Sequence, residues 1–300
     1  MSSILTNASA ISALQNLAMT QKSLQTVQNQ ISTGLRVSSA ADNASYWSIA
    51  TTMKSDNGAL GVVKSSLAQG ATMVDTAYTA VTSAIDVMNK IKNDLVAAKQ
   101  PGSDLAKIGA DIAQASAQLK SIVSSSAYNG QNWVDGSNTT VNLVASFDRS
   151  SAGATSVGTI AISAKALIAS GTGATAGSGI LEGGTGSATG TGSDFTALSV
   201  TGATTSAQLD TMIADADVTL SNIQSYAADL GATQARLTSQ ANFINVLSDS
   251  LTKGVSALVD ADMNEASTRL QALQTQQQLG VQSLSIANQN AQMILKLFNG

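Results

Sequence analysis

Apolar residues recur at alternating intervals of three and four from residue 259 to the C-terminal end of the chain. The positions in this repeat are Val259, Met263, Ala266, Leu270, Leu273, Gln277, Gly280, Leu284, Ala287, Ala291, Ile294 and Phe298. This spacing is typical of the seam of a coiled-coil helix. Beyond Arg269 the only charged side chain is Lys296. A helix whose side opposite the seam faces solvent normally carries Lys and Glu on that side. Because such residues are almost absent here, we expect this helix to pack on more than one side.

The N-terminal end of the chain is similarly poor in charge. Its only charged residues before Lys54 are Lys22, Arg36 and Asp42, and a helix is predicted from Ile4 to Leu35. Two apolar ends without a charged surface indicate self-assembly. The residues predicted to form the self-assembly core are Ile4, Ile11, Leu14, Leu17, Leu24, Val27, Ile31, Leu270, Leu273, Leu284, Ala287, Ile294, Leu295 and Phe298.

A second heptad pattern predicts a long helical rod between the two ends. Its seam is predicted at Leu60, Val63, Leu67, Val74, Val81, Met88, Ile91 and Leu95. A polar turn over residues 37–43 and a short helix through Tyr46 and Ile49 are expected before this helix of roughly 40 residues. Pro101 and Gly102 end it, and a partner helix over residues 105–122 is expected to run antiparallel after a short turn. A fourth helical pattern covers residues 209–251.

The middle of the chain has a different composition. The dipeptides Asn129-Gly130 and Asp135-Gly136 are turn signals, and strands are expected near residues 140–147 and 157–162. Residues 170–193 contain nine glycines among Ser, Thr and Ala, which is too little apolar material for a core. This segment is therefore predicted to be a solvent-facing insertion.

These patterns predict a mainly α fold, in which the N- and C-terminal helices pair and a long antiparallel coiled-coil rod carries a small β-hairpin region. We expect residues 1–45 and 256–300 to form an inner domain of terminal helices. The rod with its hairpin is expected from residues 46–165 and 206–255, and a short Gly/Ser/Thr-rich outer insertion from residues 166–205.

Composition argues against catalysis and against several classes of ligand. The chain has no Cys and no His, which removes disulfides, thiolates and the commonest general base and transition-metal ligand. The net charge of -4 does not indicate nucleic-acid binding. No apolar stretch is long enough to insert into a membrane, and the N-terminus lacks the pattern of a secretory signal. We therefore expect no enzyme activity, no cofactor and no metal.

Two local motifs resemble ligand sites but lack the residues that the chemistry requires. The segment around Gly183 and Gly184 has no Lys for a phosphate loop. The run that begins at Asp260 starts like a calcium loop, but Glu265 stands where Gly is needed and Gln271 where Glu is needed. Acidic residues at a helix start are the better interpretation of this run.

Three stretches carry a resemblance to a known family. The first is Asn29-Gln30-Ile31-Ser32-Thr33-Gly34-Leu35-Arg36-Val37-Ser38-Ser39-Ala40-Ala41-Asp42-Asn43, the second is Ala127-Tyr128-Asn129-Gly130, and the third is the run from Ala261 to Phe298. Together they resemble the bacterial flagellins over nearly the whole chain except residues 165–205.

The resemblance implies an extracellular structural subunit that self-assembles helically into the flagellar filament and serves swimming motility. It also implies export of the unfolded chain by the flagellar type III system. The implied partners are further copies of the chain, other flagellin types that can join the filament, an export chaperone, and hook-associated and cap proteins. Uncharged Gln, Asn and Ser suit such a filament, because stacked identical charges would repel one another and lose solvation.

One segment departs from the family pattern. Many flagellins carry a stretch like QRVRELAV on the first long helix, which an innate Toll-like receptor recognises. The aligned stretch here includes Lys90, Lys92, Asn93 and Asp94, with Asn93 in place of Glu and Asp94 in place of Leu. The expected result is weak receptor activation or none.

Two other interpretations fit the sequence less well. A hook–filament junction protein of the same apparatus would share the helical ends but would cap a filament instead of extending it. A secreted coiled-coil adhesin would need a folded binding domain, which the glycine-rich segment is too poor in apolar residues to supply.

Overall fold

The computed structural model describes residues 7–150, 153–171, 175, 177–183 and 193–299, and the side chains at 290, 291 and 294–299 are not among those described. The predicted assembly residues Ile4, Ile294, Leu295 and Phe298 therefore lie outside the described part. The elements are α1 (Ala8–Thr33), α2 (Ala44–Ala98), α3 (Leu105–Ser125), β1 (Ala127–Tyr128), β2 (Gln131–Asn132), β3 (Thr140–Arg149), β4 (Thr155–Ser163), a short 3-10 helix (Ile180–Glu182), α4 (Ser206–Val259) and α5 (Met263–Asn299). The predicted mainly α fold is confirmed.

Helix α1 has a clear signal at each end. The side chain of Asn7 accepts a hydrogen bond from the Ala10 backbone N–H at 3.0 Å, which satisfies one of the free donors of the first turn. Gly34 follows the last turn with a φ of 72°, and its N–H donates to the carbonyl of Gln30 at 2.8 Å. A left-handed residue at this position favours glycine, and it ends the helix.

Helix α2 corrects one prediction. A separate short helix through Tyr46 was expected, but α2 is a single helix of 55 residues. Gly58 and Gly61 lie inside it, and each glycine costs about 1 kcal/mol relative to alanine. The helix continues through them because no proline intervenes and because Ala50 before them and Val63 after them are buried. Packing here outweighs local propensity.

The C-terminal repeat is divided between two helices, which corrects the prediction of one seam beginning at Val259. Val259 is the last residue of α4, and α5 begins four residues later at Met263. The side chain of Asp262 accepts hydrogen bonds from the backbone N–H groups of Asn264 at 2.8 Å and Glu265 at 3.3 Å. Asp262 thus caps α5, as its place at a helix start suggested.

The chain divides into two compact units, one comprising Met1–Asn57 with Asp249–Gly300 and the other Gly58–Ser248. In the second unit α2 and α4 run antiparallel. Lys92 forms an ion pair with Asp217 and, two turns further on, Lys99 with Asp210. All of the predicted rod-seam residues are buried, and their exposed fractions do not exceed 4% at Leu60, Val63, Leu67, Val74, Val81, Met88, Ile91 and Leu95.

Two β-hairpins follow α3. Asn129 and Gly130 join β1 to β2, and both have positive φ values, 50° and 77°. Strands β3 and β4 pair antiparallel from Thr140↔Ser163 to Arg149↔Thr155, with a bulge between Val144 and Ser146. The predicted strands are confirmed, and each is longer than the prediction.

The glycine-rich segment is less exposed than its composition suggested. Leu181 of this segment is fully buried, as are Leu167 before it and Phe195 after it, so the expectation of a wholly solvent-facing segment is wrong at Leu181. A Cβ atom added to Gly109 of α3 would lie 2.0 Å from the carbonyl oxygen of Val200. The backbone at Val200 therefore packs directly on α3 at a position where only glycine fits.

Within the part of the chain that can be described, no helix is both long enough and apolar enough to span a membrane.

Candidate functional site

The terminal helices α1 and α5 pack against each other along an apolar seam. Val27, Ala266 and Leu273 are buried there, and Leu24, Ile31 and Leu270 pack around them while partly exposed. The start of α1 lies near the far end of α5, since the Asn7 side-chain amide donates to the Ala287 carbonyl at 3.0 Å. The pair is therefore antiparallel.

The half of this seam that is nearer to the N-terminal end of α1 buries few side chains. Leu17, Leu284 and Ala287 are only half-buried, and no buried residue occurs in α1 before Val27. A Cβ atom built on Gly280 would lie 3.2 Å from Cδ1 of Leu17. The small residue at 280 lets the two helices approach closely. The contact between them nevertheless removes little apolar surface from water in this part of the seam.

Backbone hydrogen bonds connect the segment that follows α1 to the segment that precedes α5. The N–H groups of Arg36 and Val37 donate to the Val259 carbonyl at 2.7 and 3.2 Å. The N–H of Ala261 donates to the Gly34 carbonyl at 2.9 Å. Beneath these bonds lies a separate apolar cluster of buried side chains, formed by Val37, Ala50, Val255 and Val259.

The turn between α1 and α2 is built on one carboxylate. Asp42 accepts hydrogen bonds from the backbone N–H and the hydroxyl of Ser38, both at 3.0 Å. It also accepts from the N–H of Ser39 at 2.9 Å and from its hydroxyl at 3.1 Å. These donors, with the Ser39 backbone N–H foremost, hold the pKa of Asp42 below its ordinary value of 3.8.

Helix α5 carries a second apolar stripe on the side away from α1. Its members Leu279, Ile286 and Met293 follow at intervals of seven residues, and their exposed fractions are 60%, 53% and 58%. Leu279 follows the seam residue Gln277 by two positions, which places it about 200° around the helix. We call Leu279, Ile286 and Met293 the outer stripe. Nothing among the described residues of the chain covers it.

Helix α1 also exposes apolar side chains outside the seam. Ile11, Leu14 and Met19 are 52%, 57% and 61% exposed. Ile11 and Leu14 belong to the predicted self-assembly core, yet they lie apart from the seam that holds Leu24, Val27 and the other buried members. The predicted set therefore contains two groups, one packed within the chain and one open to solvent.

Sequence reasoning missed the outer stripe and Met19. The signal was present, because Leu279, Ile286 and Met293 are spaced by seven residues and stand among uncharged neighbours. The stronger seam repeat on the same helix masks this weaker one. The inference that α5 packs on more than one side already implied a second apolar face.

The residues of the predicted receptor segment have different environments. Lys90 and Asn93 are exposed, whereas Lys92 is engaged with Asp217. One carboxylate oxygen of Asp94 is buried and accepts no hydrogen bond.

Comparison with known proteins places the helical ends in one family. Residues 4–139 match the bacterial flagellin N-terminal helical region, and residues 213–298 match the bacterial flagellin C-terminal helical region. The chain belongs to the bacterial flagellin family. It is 44% identical to Flagellin C of Rhizobium meliloti (strain 1021), over 99% of this chain and 99% of that protein. It is also 44% identical to the flagellin of Brucella melitensis biotype 1, with full coverage of both chains.

Some flagellins of the family are longer than this one. Flagellin A of Rhizobium meliloti (strain 1021) is 37% identical over an alignment of 393 positions that covers 99% of this chain and all of that protein. Since this chain has 300 residues, the relative contains insertions that are absent here. Among solved structures, a flagellin of Bacillus cereus covers 60% of this chain at 14% identity and a TM-score of 0.41.

Membership in this family establishes the function at the level of the assembly. As a flagellin, the chain is a structural subunit of the extracellular bacterial flagellar filament, which drives motility. The full-length match to flagellins favours a filament subunit over a hook–filament junction protein or an adhesin.

Proposed function

We propose that the seam and the outer faces of the terminal helices have different roles in self-assembly. The seam residues Leu17, Leu24, Val27, Ile31, Leu270, Leu273, Leu284 and Ala287 hold α1 to α5 within one subunit. The outer stripe, with Ile11 and Leu14, contacts neighbouring copies in the filament. The observation that carries this proposal is the exposure of more than half of each side chain in the outer stripe.

The chemistry around the outer stripe supports contact between identical copies. Thr275, Gln282 and Gln289 lie on the same side of α5 by their spacing, and no charged residue occurs between Arg269 and Lys296. In a helical polymer the same residue recurs at short intervals, so a charge here would repel its own copies and lose hydration. Amide and hydroxyl groups can form hydrogen bonds between copies at a lower desolvation cost.

The same reasoning supports a radial order for the chain. We place residues 1–45 and 256–300 at the centre of the filament, because they carry the charge-poor ends. Residues 46–165 and 206–255 surround them as the rod. Residues 166–205 face outward, where a short insertion would make a thin filament with a reduced outer surface.

Further partners follow from membership in the family. The exported chain would bind a flagellar export chaperone and pass the hook-associated and cap proteins, and other flagellin types could join its filament. A chain without cysteine cannot form disulfides, so no covalent crosslink would obstruct its transport in unfolded form.

Seeded polymerisation of three variants tests the proposal. Ile286→Asp should leave the second unit helical by circular dichroism yet stop elongation, because a carboxylate on the outer stripe cannot be buried against a neighbour. Leu284→Asp should stop elongation by opening the seam instead. Ala203→Asp is the matched control, since Ala203 is exposed in the outer insertion, and it should elongate normally. Normal filaments from Ile286→Asp would refute the assigned face.

We further propose that the receptor segment is a poor agonist. Lys92 is engaged with Asp217, Asn93 lacks the charge of the family's Glu, and Asp94 replaces an apolar contact. A reporter assay with purified protein should give weak activation or none. The variant Asn93→Glu with Asp94→Leu should raise the signal, and full potency of the unmodified chain would contradict the proposal.

A further inference from the structure

One member of the outer stripe carries a reactive group. Met293 is 58% exposed, and its thioether is the only sulfur in the stripe. Other methionines provide internal comparisons. Met88 is fully buried in the rod, and Met263, at the start of α5, is 44% exposed. Met263 lies about 120° around the helix from Met293, outside the stripe.

Peroxide would act on this chain chiefly at methionine. The sequence contains no cysteine, which would otherwise react as the more nucleophilic thiolate. The thioether sulfur of methionine takes one oxygen atom from hydrogen peroxide and becomes the sulfoxide, while the peroxide is reduced to water. Access to solvent sets the order of reaction, so the exposed residues Met19, Met293 and Met263 should react before Met88.

We propose that Met293 is a site of reversible oxidation, by peroxides, that prevents an unassembled subunit from joining the filament. This inference rests on the proposed role of the outer stripe in contact between copies. Oxidation converts a flexible apolar side chain into a polar one, which disrupts an apolar interface. A sulfoxide oxygen buried against a neighbouring subunit without a donor would weaken the contact.

The same geometry protects a subunit that is already assembled. Once a neighbouring copy covers the outer stripe, peroxide no longer reaches the sulfur of Met293. Oxidation would therefore act on newly exported or dissociated subunits and spare the existing filament. Methionine sulfoxide reductases reverse the reaction, so the blocked subunit can be recovered.

A partition experiment on the unmodified chain tests this inference. Monomers are oxidised with hydrogen peroxide to about one sulfoxide per chain and then allowed to elongate seeds. Filaments are pelleted, and peptide mass spectrometry measures the sulfoxide fraction at each methionine in the pellet and the supernatant. We expect Met293 sulfoxide to be depleted in the pellet by about tenfold, as a weakened apolar contact of this kind implies. Met263 sulfoxide should partition equally.

Two further arms separate the possible causes of failure. Reductase treatment of the supernatant should restore the ability of its subunits to elongate seeds. Peroxide should lower the elongation rate of Met293→Leu less than that of the unmodified chain, when each rate is compared with that of the same protein without peroxide. Equal Met293 sulfoxide in pellet and supernatant would overturn the inference. The role of the stripe itself is judged separately by Ile286→Asp, so that failure of the oxidation site alone leaves the assembly proposal intact.

Discussion

The side chain of Asn7 links the two ends of the chain through the carbonyl of Ala287. Its amide nitrogen donates to that carbonyl at 3.0 Å, while its oxygen accepts from the N–H of Ala10 at 3.0 Å. One residue therefore both caps α1 and ties it to α5. This contact lies in the half of the seam nearer to the N-terminal end of α1, where few apolar side chains are buried. Its hydrogen bonds should therefore contribute to the stability of the α1–α5 pair.

Two substitutions at Asn7 separate these roles. Asn7→Ala removes both hydrogen bonds, and loss of the cap alone costs about 1 kcal/mol. Asn7→Asp keeps an acceptor for Ala10 but loses the donor to Ala287. Filaments of the Ala variant should dissociate at a lower temperature than those of the Asp variant, and both below the unmodified chain. Identical dissociation temperatures for all three proteins would show that neither hydrogen bond of Asn7 stabilises the filament.

A glycine pair tests the packing of the insertion on α3. Gly109→Ala forces a methyl group to within 2.0 Å of the Val200 carbonyl oxygen, so the segment must shift. We expect the free energy of unfolding to fall by about 1–3 kcal/mol, as for other overpacked sites. Gly61→Ala is the control, because Gly61 lies in α2 with no atom near its added Cβ. Urea unfolding should show that this variant is stabilised by about 0.5–1 kcal/mol.

The carboxylate of Asp42 gives a pH-dependent prediction. Its pKa is lowered by the hydrogen bonds from Ser39 and Ser38, so the stabilisation of the turn is present above pH 3.8 and is lost as the pH falls through the lower folded pKa. The bonds are local to residues 38–42 and can form in the unassembled chain. A carboxyl ¹³C titration by NMR should give a midpoint below 3.8 for Asp42. A midpoint at or above this value would mean that the turn does not form.

Much of the helical plan could be predicted from sequence, because heptad spacing reflects the packing that stabilises each helix. The seam positions Leu67, Val74 and Val81 are all fully or nearly fully buried. Helix continuity was harder to predict. Gly58 is a local signal for a break, and only the burial of residues on both sides shows that the helix continues through it.

The insertion and the outer stripe illustrate two further limits. Low apolar content alone does not reveal that Leu181 and Phe195 are fully buried. Periodicity identifies apolar faces without saying which partner covers each. Ile11 and Leu270 have the same pattern in the sequence, yet Ile11 is open to solvent and Leu270 packs against the α1–α5 cluster.

Limited proteolysis tests the marginal stability of the terminal pair. The seam buries few side chains, so in a lone monomer we expect the ends to be largely disordered and to fold on assembly. Trypsin should then cut the monomer at Lys22, Arg36, Lys253 and Arg269, all of which are exposed, while the filament resists. Lys120, in α3 of the better-buried unit, should survive in both states. Equal cleavage of monomer and filament at the four terminal sites would argue against folding on assembly.

The central claim is that neighbouring copies cover the outer stripe, and a single introduced thiol measures this directly. The chain has no cysteine, so Ile286→Cys provides one reactive site at the middle of the stripe. The replacement is small and uncharged, and filaments can be grown from the variant on unmodified seeds. A maleimide reagent then reports how fast the thiol is labelled in monomer and in filament, with Ala203→Cys in the outer insertion as the reference.

Covering of the stripe predicts that Ile286→Cys is labelled at least about tenfold more slowly in the filament than in the monomer, since a buried thiol reacts only when its cover opens. Ala203→Cys should be labelled at similar rates in both states. Equal labelling of Ile286→Cys in monomer and filament would contradict the claim that copies of this flagellin meet on the outer stripe of α5.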